Sequence, residues 1–209
     1  MRTMLRIAVI AGSTRPGRKS ADVARWVLDL AAARGDAHYA LVDLADHALP
    51  VLDEPVPASQ AVYTREHTLS WSRRIEAFDG FVIVTPEYNH GIPGGLKNAL
   101  DYLYREWNDK AVGFVGYGTA GGVRAVEQLR LVAGELQMAD VRTQVALHLA
   151  NDFTADGVFV PMAYHAPVLH GMLDQVLAWS SALSRLRAPA PVQSTGGPLS
   201  QRGPAVPTP

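Results

Sequence analysis

The chain contains no cysteine. That excludes a disulfide framework, a thiolate nucleophile and a thiolate metal site, and it fits a cytoplasmic protein. Charge imbalance is missing too: 19 Lys and Arg against 20 Asp and Glu leave a net charge of −1 over 209 residues. Such a surface offers no basic stripe for nucleic acid and no acidic tail. No apolar run reaches the roughly 20 residues that a bilayer demands, so no membrane span is expected. The run Leu5–Ala11 leads through Gly12-Ser13 into an amphipathic pattern, and reads as a first strand rather than a signal-peptide core. The histidines lack ligand spacing: His165 and His170 do not share a helical face, and His38, His47, His67 and His148 lie on different elements. No metal is expected. A Gly-x-Ser-x-Gly elbow is also absent, and no nucleophile, base and orienting group are nominated by spacing.

What the chain does have is alternation. The pattern predicts strands at Leu5–Ala11, His38–Leu44, Phe81–Thr85, Lys110–Gly116 and Val141–His148. Helices are expected at Ser20–Ala31, with Ser20 as cap, at Val62–Phe78, from Pro93 to Trp107, at Gly121–Met138 and at Val168–Leu186. Two long connections, Asp46–Ala58 and Asn151–Ala166, show no period. Near-continuous apolar strands alternating with helices argue for an α/β fold, a doubly wound parallel sheet covered on both faces. Five such units favour strand order 2-1-3-4-5, with the switch point between strands one and three. Residues 1–187 are expected to form one domain; residues 188–209, dense in proline and glycine, read as a disordered tail.

Ligands of such sheets sit beyond the carboxyl ends of the strands, so the loops there are the candidates for chemistry. Gly12 to Ser20 brings hydroxyls, cations and amides to a helix N-terminus, as a terminal phosphate requires; a solvated polar turn is the plainer reading. It is not a P-loop, because one residue too many separates Gly17 from Lys19 and Pro16 removes an amide. Gly116-Tyr117-Gly118-Thr119-Ala120-Gly121 copies a dinucleotide fingerprint but follows the fourth strand, not the first. Its glycines suit close approach to a flat ligand. The loop Pro86 to Gly91 offers Glu87, Tyr88, Asn89 and His90, a set that suits cradling a planar ring with polar edges; Tyr88 and His90 would otherwise cover the sheet edge. On the helix after Pro93, Leu96, Leu100, Leu103 and Trp107 form the core stripe; besides it, Tyr102, Tyr104 and the aromatic end Tyr104-Arg105-Glu106-Trp107 are more apolar than a solvated face requires, which points to self-association.

Together, Gly12-Ser13-x-Arg15, the run from Pro86 through Asn89 to Asp101, and Gly118-x-x-Gly121-Gly122-x-Arg124 resemble the NADPH-dependent FMN reductases. These are flavodoxin-like quinone, azo-compound, chromate and flavin reductases, and the resemblance spans Leu5 to about Leu149, including Leu49–Pro55. It implies that Ser13, Arg15, Lys19 and Ser20 hold the FMN phosphate. Pro86, Glu87, Tyr88 and Asn89 would line the isoalloxazine, with His90 and Gly91 nearby, and Gly118, Gly121 and Gly122 would approach its pyrimidine end. Hydride would pass from NADPH through FMN to a small acceptor, with no side chain acting as strict acid or base. A homodimer or dimer of dimers is implied as well. Two other readings stand beside it: a non-enzymatic flavodoxin-like electron carrier, and a flavin-free phosphate or nucleotide binder.

Overall fold

The computed structural model describes residues 4–187; the tail expected at 188–209 lies outside them. Five parallel strands run in the order β2-β1-β3-β4-β5, which bears out the doubly wound architecture. They are β1 (Arg6–Ala11), β2 (His38–Asp43), β3 (Gly80–Pro86), β4 (Ala111–Gly118) and β5 (Ala139–His148). Between them run α1 (Ser20–Ala32), α2 (Glu66–Glu76), α3 (Gly94–Asp101), α4 (Val123–Glu135) and α5 (His165–Arg187). Short 3-10 turns at Leu44–Asp46 and Ala58–Gln60 punctuate the first long connection.

The central strands are apolar throughout because alternate residues face two different cores. Ala8, Ile10, Phe81, Ile83, Val112 and Phe114 point to the layer holding Trp71, Leu100 and Leu129. Ile7, Val9, Val82, Val84 and Val115 point to the layer that α1 and α5 cover through Val23, Val27, Met172 and Val176. The pairing Ala11↔Val84 and Pro86↔Tyr117 brings the ends of β1, β3 and β4 to one rim. Three loops therefore leave the sheet side by side at the switch point.

Several helix boundaries differ from the periodicity, α5 among them, since it begins at His165 and not Val168; three of the differences have a visible local reason. Helix α2 begins at Glu66, not Val62, because the Glu54 carboxylate reaches over from the long connection. It accepts the backbone N–H groups of Thr64 and Arg65 at 2.9 Å each. Helix α3 ends at Asp101, well short of Trp107. The indole N–H of Trp71 donates to Ala99 O at 2.9 Å and that of Trp107 to Leu100 O at 3.2 Å, occupying carbonyls at the last turn. Helix α4 begins at Val123, since Gly121 and Gly122 both hold φ 72°. A Cβ on Gly122 would lie 2.5 Å from Tyr117 N, so only glycine fits.

After α3, Trp107 is buried as its place in the core stripe requires, whereas Tyr102 is not on the associating surface expected for it. Tyr102 and Trp107 are buried within the chain. The Tyr102 hydroxyl donates to Asp53 Oδ1 at 3.0 Å, and Trp107 stacks edge-on against Phe81. Their apolar character serves this chain's own core, so it is no evidence for association.

Candidate active site

The first loop is built around Ser13, which is fully buried. Gly12 N–H donates to Val84 O at 2.8 Å and holds the loop against β3. A Cβ on Gly12 would meet that same oxygen at 2.7 Å. The Ser13 hydroxyl lies 2.9 Å from the Tyr88 hydroxyl, and Arg15 N–H approaches it at 3.4 Å. Ser20 is not the cap of α1: it is the helix's first residue, buried, and its hydroxyl turns back to Ser13 O at 3.4 Å. Both hydroxyls thus shape the loop from within.

The cations of this loop divide. Arg18 pairs with Asp43 at the end of β2. Lys19 Nζ donates to Gly157 O at 2.7 Å and lies 5.0 Å from the Phe153 ring centroid. Arg15 is exposed, with its guanidinium 5.9 Å from the Tyr88 ring centroid. It has no carboxylate partner among the described residues.

The second loop is a tight turn. Tyr88 N–H donates to Gly91 O and Gly91 N–H to Tyr88 O, both at 2.9 Å. Asn89 at φ 52° and His90 at φ 67° occupy its two central positions, the backbone of a type I′ turn. Both side chains are exposed, while Pro86 is buried at the end of β3. From α4, Gln128 Nε2 donates to His90 O at 2.9 Å and braces the turn.

The Glu87 carboxylate turns towards α4. Its carboxylate accepts Arg124 Nε at 2.6 Å and Arg124 N–H at 3.1 Å, at the N-terminus of α4. Burial pushes its pKa up, but these hydrogen bonds, the Arg124 charge and the Ala125 amide outweigh that and hold it below the usual carboxylate value. Sequence reasoning gave Arg124 and Gln128 no role. A signal was present for Arg124: a cation in the first turn of a helix opposes the macrodipole unless an anion joins it.

The third loop turns at Thr119-Ala120, closed by Gly121 N–H donating to Gly118 O at 3.1 Å. Gly118 packs against Glu87, where an added Cβ would lie 3.3 Å from Glu87 Cβ. The three loops are thus cross-tied: the first to the second by Ser13 and Tyr88, the second to the third by Glu87 and Arg124.

This donor set fits FMN. Among the described residues, the backbone amides of Thr14, Asn89, Thr119 and Ala120 donate to no protein acceptor. They lie in the loops at the rim where a flat ring with carbonyl edges and a phosphate would be held, with Arg15 available for the phosphate charge. A cavity of about 200 Å³ borders Thr14 and Gly95 on the α3 side of the first loop. A larger cavity, about 400 Å³, lies at the opposite end of the sheet around Lys110 and Asp79, away from these loops.

Comparison with known proteins agrees with the geometry. The profile of the family described as NADPH-dependent FMN reductase matches residues 5–152. An NAD(P)H-dependent FMN reductase of Schizosaccharomyces pombe is 45% identical over 158 residues, covering 75% of this chain and 79% of that protein. A 2-hydroxy-1,4-benzoquinone reductase of Burkholderia is 30% identical over 185 residues, covering 84% and 96%. Among solved structures, the flavoenzyme NAD(P)H:acceptor oxidoreductase FerB of Paracoccus denitrificans superposes with TM-score 0.67 at 24% identity, covering 85% of this chain and 98% of that one. The chain belongs to the NADPH-dependent FMN reductase family.

Proposed function

We propose that this protein binds FMN across the three loops and passes reducing equivalents from NAD(P)H to a small acceptor such as a quinone, azo compound, flavin or metal oxyanion. The observation that carries this reading is the set of amides at the switch point that are unengaged among the described residues, beside Arg15, a cation without a carboxylate partner among those residues. Bound FMN would supply the hydride chemistry. The chain's own groups then have holding tasks. Arg15 and the Thr14 amide would take the phosphate. The Asn89 amide would meet one polar edge of the ring, and the Thr119 and Ala120 amides the other. Ser13, Ser20, Gln128 and Glu87 keep those amides in place.

Support for a quinone-type acceptor comes from relatives: the Burkholderia benzoquinone reductase, and a quinone reductase of Escherichia coli that is 34% identical over 138 residues. An electron carrier is the rival reading, and the near-neutral charge of the chain gives it little support. A cytoplasmic location is proposed, with which a chain free of cysteine is compatible; no helix among the described residues is long and apolar enough to cross a membrane. Self-association as a homodimer is proposed on the family resemblance, and a monomer by light scattering at working concentration would refute it. The decisive experiment records the absorbance spectrum of purified protein with FMN, then NADPH oxidation with and without a quinone. Steady turnover is expected. Flavin-loaded protein that oxidises no NADPH would favour the carrier, and failure to take up FMN would favour a phosphate binder.

A further inference from the structure

Glu87 and Arg124 form a charged pair between the two loops assigned to the flavin ring. The two ends differ in setting: the Glu87 side chain is 6% exposed and that of Arg124 is 44%. The carboxylate sits at the positive end of α4, accepting the first-turn amide of Arg124. Without it, the helix terminus and the guanidinium would together present an unopposed positive field to the Gly118–Gly122 turn. Without Arg124, the same place would carry a largely buried carboxylate charge with no cation opposite it. Structural anchoring alone needs only a hydrogen-bond acceptor at position 87, which a neutral amide supplies. A full ion pair does more: its two charges act with opposite sign on whatever charge develops beside them.

We propose that Glu87 and Arg124 are positioning residues that set the reduction potential of FMN, by balancing opposite charges beside its pyrimidine edge. This rests on the FMN reading above. Two-electron reduction with one proton taken up leaves negative charge on the N1–C2=O2 edge of the ring. A positive surplus there favours the reduced form and a negative surplus the oxidised form. Loss of Glu87 charge therefore raises the midpoint, and loss of Arg124 charge lowers it.

The test measures the midpoint of bound FMN by equilibration with a reference dye for wild type, Glu87→Gln, Arg124→Gln, the double variant and Arg124→Lys. Glu87→Gln is expected to raise the equilibrium ratio of reduced to oxidised flavin about threefold or more at fixed potential, and Arg124→Gln to lower it by a similar factor. Tenfold corresponds to about 30 mV for a two-electron couple. The double variant should return towards wild type. Arg124→Lys, which keeps the charge and loses the fork geometry, should stay within about twofold of wild type. Single variants that move the midpoint in the same direction, or leave it unmoved with FMN bound, would overturn the proposal while the FMN reading stands. Wild-type protein that binds no FMN would remove the reading and the proposal with it.

Discussion

The Ser13 hydroxyl and the Tyr88 hydroxyl lie 2.9 Å apart although 75 positions separate them in the chain. They join the loop after β1 to the loop after β3, across the point where strand order reverses. Ser13 is fully buried, so its oxygen has no solvent alternative if the phenol is removed. A buried neutral hydrogen bond contributes about 1 kcal/mol net. Ser13→Ala and Tyr88→Phe should each lower stability by about 0.5–1.5 kcal/mol, with a coupling energy of at least about 0.5 kcal/mol. Urea unfolding of the four proteins of this cycle, without FMN, measures it. Strict additivity would show that the two loops are not joined by this bond.

The Asn89-His90 turn carries strain of its own. Asparagine tolerates a left-handed backbone, whereas for histidine at φ 67° the conformation costs about 1–2 kcal/mol. The His90 side chain is exposed and its carbonyl, not its ring, is what Gln128 holds. His90→Gly should therefore stabilise the protein by about 0.5–1 kcal/mol after the extra chain entropy of glycine is counted. His90→Val should destabilise it by more than about 1 kcal/mol. Thermal melts of the two variants decide the matter. Equal melting points for both would mean that the left-handed backbone at position 90 costs a β-branched residue nothing extra.

Much of this site was legible because the sheet is simple. Apolar runs such as Phe81–Val84 announce a strand with both faces covered, and the order of strands then puts Gly12–Ser20 beside Pro86–Gly91. The roles of individual side chains were less legible, since they depend on partners distant in sequence. Nothing at Glu87 itself announces that its carboxylate pairs with Arg124, 37 positions away. Glu54 looks like an ordinary loop carboxylate until it takes the amides ahead of α2; burial pushes its pKa up, but the Thr68 side chain and the Arg65 and Thr64 amides outweigh that and hold it at about 2. Periodicity also overran α3, because Leu103 and Trp107 are buried at helical spacing while the backbone has already left the helix. Spacing records which residues face the core; it does not record which carbonyl an indole N–H has taken.

Division of labour among the cations of the first loop follows from their partners. Arg18 is tied to Asp43 and Lys19 to Gly157 O, so neither can reach a phosphate without giving up a contact. Arg15 gives up none of that kind. Arg15→Ala should weaken FMN binding about tenfold or more, equivalent to at least about 1.4 kcal/mol, with unfolding free energy unchanged. Arg18→Ala should do the reverse: a loss of up to about 1 kcal/mol in stability, with FMN affinity held within about threefold. Flavin fluorescence titrations paired with urea unfolding separate the two effects. A larger affinity loss for Arg18→Ala than for Arg15→Ala would reassign the phosphate cation.

At the other end of the sheet, Lys110 makes stability depend on alkaline pH in an unusual direction. Its ammonium is buried beneath α2, donating to Ile75 O at 3.1 Å and Glu76 O at 3.3 Å. Burial first, then the Arg187 charge, push its pKa down to about 8, against the smaller opposing pull of Asp79, Glu76 and Glu106. In the unfolded chain it titrates near the ordinary lysine value of about 10.4. Below pH 8 both states hold the proton and this group gives no slope. Between the two values the unfolded chain holds a proton that the fold does not, so stability rises with pH there. Tyr39, Tyr63 and Tyr117, whose pKa values burial raises in the fold, act oppositely only above about pH 10. Comparing wild type with Lys110→Met cancels their contribution. The stability difference should stay flat from about pH 6 to 7.5, then move in favour of wild type by on the order of 2–3 kcal/mol by about pH 10. Urea unfolding at each pH measures it, and a difference that stays flat throughout would mean that the buried ammonium titrates as an ordinary lysine.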